Sequence, residues 1–245
     1  MTSQAGYEER AGYYAAEISH VPVPALLAGL LRPGLAVAEM PSGTGHFLPA
    51  YSAAGAGITL VDACPQMLAA AQVVAAKSGI AITAVCGAIE DLPGRASTFD
   101  LIVMPNGALN QMAADIPLAR LLASVARFLA PHGLFLAQFL APGAGCGFYD
   151  PGLTDGDWHQ DRQFADEDGH LITRRRRQHH QDGLVHVGFE WASGANPVHC
   201  QQVTLRPMPI ADVQVALADA GLRTLRTGSG GFAEILGVRQ SRRPW

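Results

Sequence analysis

From Leu35 onward, short apolar runs alternate with longer amphipathic stretches. Leu35–Met40, Ile58–Val61, Ile82–Cys86, Leu101–Met104 and Leu134–Leu140 are brief and apolar, and they predict five strands. His46–Ala54, Pro65–Lys77 and Ile116–Leu129 fall between them and predict helices. In the last of these, Leu118, Leu121, Leu122, Val125 and Leu129 recur at helical spacing, and Pro131-His132-Gly133 marks its end. A further helix over Ile210–Ala220 precedes two final strands, Arg223–Thr227 and Ala233–Arg239. Such alternation predicts an α/β fold: a Rossmann-like, doubly wound, mostly parallel seven-stranded sheet with helices on both faces. Residues 7–31 predict two helices around His20-Val21-Pro22, halted by Pro33-Gly34, so that residues 1–33 form a helical cap.

Residues 142–207 break this rhythm. Glycine and proline crowd Ala141–Gly152, and two Asp-Gly pairs follow at 168–169 and 182–183, each between extended segments. Asp-Gly between such segments is a strong hairpin signal, so an antiparallel insertion is expected after the fifth strand. A two-residue turn at Asp182-Gly183 sets the register. It pairs His180 with Val185, His179 with His186, Arg177 with Gly188, Arg175 with Glu190 and Arg174 with Trp191. Strand alternation then puts Arg175, Arg177, His179, His186 and Glu190 on one polar face. Val185, Val187, Phe189 and Trp191 share the other face, under the stems of Arg174 and Arg176.

Composition narrows the class. With 245 residues, 49% hydrophobic and 16% charged, the chain suits one globular domain spanning 1–245. The net charge of -4 lacks the basic excess that nucleic-acid binding requires. No apolar run approaches a membrane span, and the N-terminal residues lack the basic and apolar regions of a secretory leader. The four cysteines form no CxxC pair. Reduced thiols and a cytoplasmic location are therefore expected. The expected partner is a small-molecule acceptor, and assembly is left open between a monomer and a homodimer.

Ligands of open α/β sheets bind at the carboxyl ends of strands, near the point where strand order reverses. The first strand ends in Glu39-Met40-Pro41-Ser42-Gly43-Thr44-Gly45, and the second in Asp62. A glycine loop lets backbone approach a ligand, and an acidic residue after the second strand suits a ribose. Gly43-Thr44-Gly45 lacks the third glycine of a dinucleotide site. The charge of Glu39 would repel a pyrophosphate and attract an ammonium. A nucleoside cofactor with an amino-acid end fits best.

Glu39–Gly45, Leu60–Leu68, Gly87–Pro93, Phe99–Val103 and Leu129–Gly133, in this order, resemble the class I S-adenosylmethionine-dependent methyltransferases. The resemblance implies S-adenosyl-L-methionine as cofactor. Glu39, Pro41, Ser42, Gly43 and Gly45 would hold its methionine end, and Asp62, Ala63 and Met67 its ribose side. Ala88 and Ile89 would flank the adenine, and Met104 and Pro105 would lie beside the sulfonium. Two positions depart from the family pattern: Pro41 replaces its first loop glycine, and Ala88 replaces an aspartate, leaving Glu90 or a backbone carbonyl to meet the adenine amine. The early tyrosines and the insertion further resemble small-molecule N-methyltransferases, the antibiotic sugar N-methyltransferases and glycine N-methyltransferase among them. Tyr14 would then cover the cofactor.

A hydroxyl acceptor needs a general base, whereas a neutral amine needs only its lone pair. Asn106, Asn110 and Gln111 follow the fourth strand, and His46 and His159 are the histidine candidates for catalysis. None stands out as a base, which favours N-methyl transfer, or an activated acceptor, over a plain alcohol. Tyr149, Trp158, Arg175 and Arg177 are candidate acceptor contacts, with a solvated strand as the competing reading of the arginines. His179 and His186 lack a third partner, so no metal is expected. Three other functions compete: non-methylating chemistry such as a cyclase on the same fold, nicotinamide-dependent oxidoreduction, and a binding protein with a degenerate pocket. Methyl transfer from labelled cofactor, and binding of S-adenosylhomocysteine against nicotinamide dinucleotides, separate them.

Overall fold

The computed structural model describes residues 11, 13–14, 17–18, 21–92, 98–142, 156–165, 168–194, 196–228 and 232–240, with backbone alone for 196–198. Residues 11, 13, 14, 17 and 18 are helical, and α1 follows at Ala25–Leu30. The sheet begins with β1 (Ala36–Glu39), α2 (Leu48–Ala53), β2 (Gly57–Asp62), α3 (Pro65–Lys77) and β3 (Ile82–Cys86). A short 3-10 turn at Ile89–Asp91 leads to β4 (Phe99–Met104), α4 (Ala108–Asp115), α5 (Leu118–Phe128) and β5 (Leu129–Phe139). After the second sheet, α6 (Ile210–Asp219), β10 (Leu222–Gly228) and β11 (Ala233–Arg239) complete the first.

The strand order is β10-β11-β5-β4-β1-β2-β3. β1 pairs in parallel with both β2 and β4, so the order reverses there, and β11 runs antiparallel to β5 and β10. Alternate side chains feed two apolar layers. Val37, Leu60, Leu101 and Val103 pack with Leu27, Leu48, Tyr51 and Ala71. Ala38, Val61, Ile102 and Met104 pack on the other face with Leu109, Leu122, Val125 and Val213. Burying each large aliphatic or aromatic side chain in these layers stabilises by roughly 1.5–3 kcal/mol.

Two boundaries differ from expectation for physical reasons. α4 lies outside the predicted helices, although Leu109, Met112, Ala113 and Ile116 recur at helical spacing and pack into the core. It begins after Asn106 and Gly107, both at positive φ, and Pro117 separates it from α5. Pro131-His132-Gly133 does not end a structure but lies inside β5, where the pairing with β4 shifts register. A Cβ at Gly133 would stand 2.9 Å from the carbonyl oxygens of both Ala130 and Phe99, so only glycine passes there.

The second sheet holds β6 (His159–Ala165), β7 (Leu171–Gln181), β8 (Leu184–Ser193) and β9 (Asn196–Leu205), antiparallel throughout in that order. Asp182 and Gly183 both take positive φ, the geometry a two-residue hairpin turn demands. The resulting register sets Arg175 opposite Glu190, Arg174 opposite Trp191 and His179 opposite His186, whose rings stack at 4.8 Å. The inner face buries Ile172, Val185, Val187, Phe189, Trp191, Val203 and Leu205 against Leu140.

Asn110 ties the two sheets together. Its side chain, fully buried, accepts a hydrogen bond from the Leu140 N–H at 2.7 Å and donates to the carbonyls of Leu140 and Arg206 at 2.9 and 2.7 Å. The Asn110→Ala variant leaves these backbone groups short of partners, each at a cost of about 1–3 kcal/mol. It should lose about 3 kcal/mol of unfolding free energy, read from the urea midpoint. A loss below about 1 kcal/mol would show the clasp to be incidental.

Candidate active site

One cavity of about 520 Å³ opens at the carboxyl ends of β1, β2, β3 and β4, at the reversal in strand order. Its walls combine Glu39, Pro41, Ser42 and Gly43 after β1 with Asp62, Ala63 and Met67 after β2. Ala88 and Ile89 follow β3, and Pro105 and Asn106 follow β4. Tyr14, Glu17 and Ile18 come from the N-terminal helical residues, Arg162, Arg174 and Val203 from the second sheet, and Phe232 from the segment before β11.

Two carboxylates dominate this edge. Glu39 is 2% exposed, and the Tyr51 hydroxyl donates to its Oε2 at 2.5 Å. Burial raises the Glu39 pKa to about 8; the Tyr51 hydrogen bond opposes this, and the charge of Asp62 adds to it. Asp62 is 8% exposed and accepts two backbone hydrogen bonds, from Gly43 N–H at 2.7 Å and Cys64 N–H at 2.9 Å. Burial lifts its pKa as well, and those two backbone donors pull it back. Asp62 thereby pins the glycine loop to the end of β2 while keeping lone pairs to spare.

The two loop glycines act differently. Gly43 (φ +52) lines the cavity, and a Cβ there would come within 2.9 Å of the Tyr14 ring. Gly45 (φ +76) does not line it. A Cβ at Gly45 would meet the Leu48 side chain at 2.6 Å and Ala71 at 3.1 Å, so this glycine lets the loop close onto α2 and α3 rather than onto a ligand. Met104 likewise belongs to the core, fully buried, and is not on the wall.

The remaining candidates separate cleanly. His46 lines the cavity and its Nε2 meets the Val21 carbonyl at 2.5 Å, tying the loop to the N-terminal segment. Gln111 is on the wall, whereas Asn110 is spent on the clasp. Glu90 accepts from the Ser124 hydroxyl at 3.0 Å and is not at the cavity, so it does not stand in for the aspartate absent at Ala88. His159 lies on the inner face of the second sheet opposite Arg176, away from the wall.

Trp158, Arg175 and Arg177 gather on the outer face, where both guanidiniums stack on the indole at 5.8 and 4.8 Å, and Arg175 pairs with Glu190 at 3.0 Å. The hairpin's polar face therefore points away from the cavity, and its packed face supplies Arg174 instead. Tyr149 lies outside the described residues. Among the described residues, no group of three or more His, Cys, Asp or Glu side chains could hold a metal ion, and no helix is long and apolar enough to cross a membrane.

Arg174 escaped the sequence reading as a site residue because it was assigned to packing. Its guanidinium, 2% exposed, reaches Glu17 Oε1 and grips both oxygens of Asp161 at 2.9 and 2.5 Å. Trp191 Nε1 donates to the other oxygen of Glu17 at 3.2 Å. The signal available in sequence was the pairing of Arg174 with Trp191, which placed the arginine on the inner face.

Residues 37–133 match the family model described as a methyltransferase domain. No curated protein matches the chain in sequence. The CcbJ methyltransferase of Streptomyces caelestis superposes with a TM-score of 0.76 at 15% identity, covering 98% of this chain and 100% of that one. The sugar N-methyltransferase KedS8 of a Streptoalloteichus species does so with a TM-score of 0.66 at 23% identity, covering 98% and 89%. The 1,6-didemethyltoxoflavin-N1-methyltransferase of Burkholderia thailandensis, with S-adenosylhomocysteine bound, gives 0.57 at 16% identity, covering 97% and 85%. At these identities the likeness is one of fold. Residues 37–133 are a methyltransferase domain, and the chain has the Rossmann-like fold of the class I methyltransferases. The domain match and the fold both resemble those of S-adenosylmethionine-dependent methyltransferases.

The buried acid at Glu39 has a consequence for stability. Its pKa is higher folded, about 8, than its ordinary value of 4.5, so the folded state holds the proton more tightly. That contribution is complete below about pH 4.5 and is lost as pH rises through about 8. The urea midpoint of the ligand-free protein should fall across this window. Glu39→Gln, neutral throughout, should flatten the fall, and an unchanged slope would refute the assignment.

Proposed function

We propose that the cavity holds S-adenosyl-L-methionine, with Glu39 and the Pro41–Gly43 loop at its methionine end and Asp62 at its ribose. Ala88 and Ile89 flank the adenine, and Pro105 and Asn106 lie near the sulfonium. The acceptor is a small-molecule amine, and the setting is secondary metabolism in the cytoplasm, in line with the sugar N-methyltransferase fold neighbour. The residues fit the group: the site offers two buried carboxylates, one for an ammonium and one for paired hydroxyls, in an otherwise largely apolar cavity.

The observation that supports N-transfer is that each acidic side chain on the described wall already has a partner. Glu39 takes Tyr51, Asp62 takes two amides, Glu17 takes Arg174 and Trp191, and His46 Nε2 takes Val21. Cys64 reaches Gln66, and Tyr14 and Asp115 are each engaged by another residue. The His46 ring, donating from Nε2 to Val21, keeps a lone pair on Nδ1, and a neutral amine acceptor does not require it. The bound cofactor supplies an electrophilic methyl on a positively charged sulfur. The protein's part is to align an amine lone pair with that methyl and exclude water. Asn106, at positive φ with its N–H 3.3 Å from Gln138 Oε1, is held at the end of β4 to orient the amine.

Asp62→Ala removes charge-assisted hydrogen bonds and should weaken cofactor binding by roughly tenfold or more in calorimetry. Unchanged affinity would remove Asp62 from the site. N-transfer without a protein base makes a separate claim. Across a series of amine acceptors, the pKa governing kcat/KM should follow the pKa of each amine. A value that stays fixed while the acceptor changes would point to a base on the protein and to O-transfer.

A further inference from the structure

β6 contains an irregularity with a direct consequence for the cavity. His159 stands opposite Arg176 and Gln160 opposite Arg175, but Arg162, not Asp161, stands opposite Arg174. One extra residue has entered β6. In an unbroken ladder Arg162 would oppose Thr173 and face outward with Arg175 and Arg177. The bulge turns it to the inner face and onto the cavity wall, and leaves Asp161 free to grip Arg174.

The basic side chains on the described wall are His46, Arg162 and Arg174. Arg174 is engaged at Nε, Nη1 and Nη2 by Glu17 and Asp161. His46 Nε2 is spent on Val21. Arg162 uses only Nη1, on the Glu17 carbonyl at 3.1 Å, and its other donors carry no protein partner among the described residues. Among the described residues the same two carboxylates are shared: Glu17 and Asp161 pair with Arg174, and Arg176 lies 4.0 Å from Asp161. Burial and the nearby Arg174 lower the Arg162 pKa, while the charges of Glu17 and Asp161 and the Tyr14 hydroxyl oppose the shift.

We infer that Arg162 receives the α-carboxylate of the cofactor's methionine end, completing with Glu39 a pair of opposite charges that matches an amino-acid zwitterion. The position supports this. Arg162 hydrogen-bonds to Glu17 and interacts electrostatically with Tyr14, and the Tyr14 ring lies over Gly43 in the loop assigned to that end. A guanidinium with donors unspent among the described residues is shaped to take a carboxylate with two parallel hydrogen bonds. The inference rests on the cofactor reading above and adds a residue from the inserted sheet to the cofactor site.

Calorimetry with S-adenosylmethionine and with its decarboxylated form tests it. Arg162→Gln should weaken S-adenosylmethionine by roughly tenfold or more and leave the decarboxylated form unaffected. Arg162→Lys, keeping the charge without the fork, should fall between. The wild type provides the same test without substitution, and should bind the decarboxylated form roughly tenfold or more weakly. Equal wild-type affinity for the two forms overturns the inference while the cofactor reading stands; binding of neither defeats both. Unchanged cofactor affinity in Arg162→Gln, with only the acceptor KM raised, gives the guanidinium to the acceptor and overturns the inference too.

Discussion

The site depends on two carboxylates buried side by side at adjacent strand ends. Water-starved anions are costly, and proteins either pair them or keep the proton. This structure does some of each. Asp62 is paired with two backbone amides, one of them from the glycine loop, so the conformation of residues 42–45 and the solvation of Asp62 are one problem. Glu39 receives a single hydroxyl and keeps its proton to about pH 8. A buried acid so weakly compensated is poised to ionise when a cation arrives, and that is the property an ammonium-binding site needs.

Closing the cavity requires a wall from outside the parallel sheet, and a second charge problem builds it. Arg174 comes from the inserted sheet and Glu17 from the N-terminal helical residues, far apart in sequence, and they meet while almost wholly buried. Asp161 and Trp191 complete the cluster, and Phe189 lies under the guanidinium at 4.8 Å. A buried ion pair is a weak source of net stability, yet removing either partner strands the other. Its effect is to specify one arrangement: the N-terminal segment and the inserted sheet dock in the register that joins these groups.

Much of this was legible in residues. Strand ends could be read because apolar runs stop at Glu39, Asp62 and Cys86. The β7–β8 register could be read because Asp182-Gly183 admits one turn length, and every pairing then followed from the two-residue period. Several differences from expectation turn on side-chain contacts that residue spacing does not show. Gly45 looks like Gly43 in sequence, but Leu48 and Ala71 crowd it. The two faces of the hairpin were distinguishable, but which one meets the cavity depends on docking against Glu17. The polar face carrying Arg175 and Arg177 points away from the cavity, and the packed face supplies Arg174 to its wall. The bulge at Asp161 has no glycine or proline to announce it.

That bulge shows how a small backbone change can add a function to a packed surface. The inner face of the inserted sheet is a hydrophobic layer built on Trp191, Phe189 and the valines. An uninterrupted β6 would give that layer one charged residue from the 161–162 pair. With the extra residue it has two of opposite sign, one facing Arg174 and one facing the cavity. The acidic member neutralises the arginine that binds the N-terminal segment. The basic member is then the charge left over at the wall. Were Asp161 absent, Arg174 would share Glu17 with no second carboxylate, and Arg162 would face an uncompensated cation beside it. Wall and docking contact are thus balanced by the same insertion, and neither residue can be understood without the other.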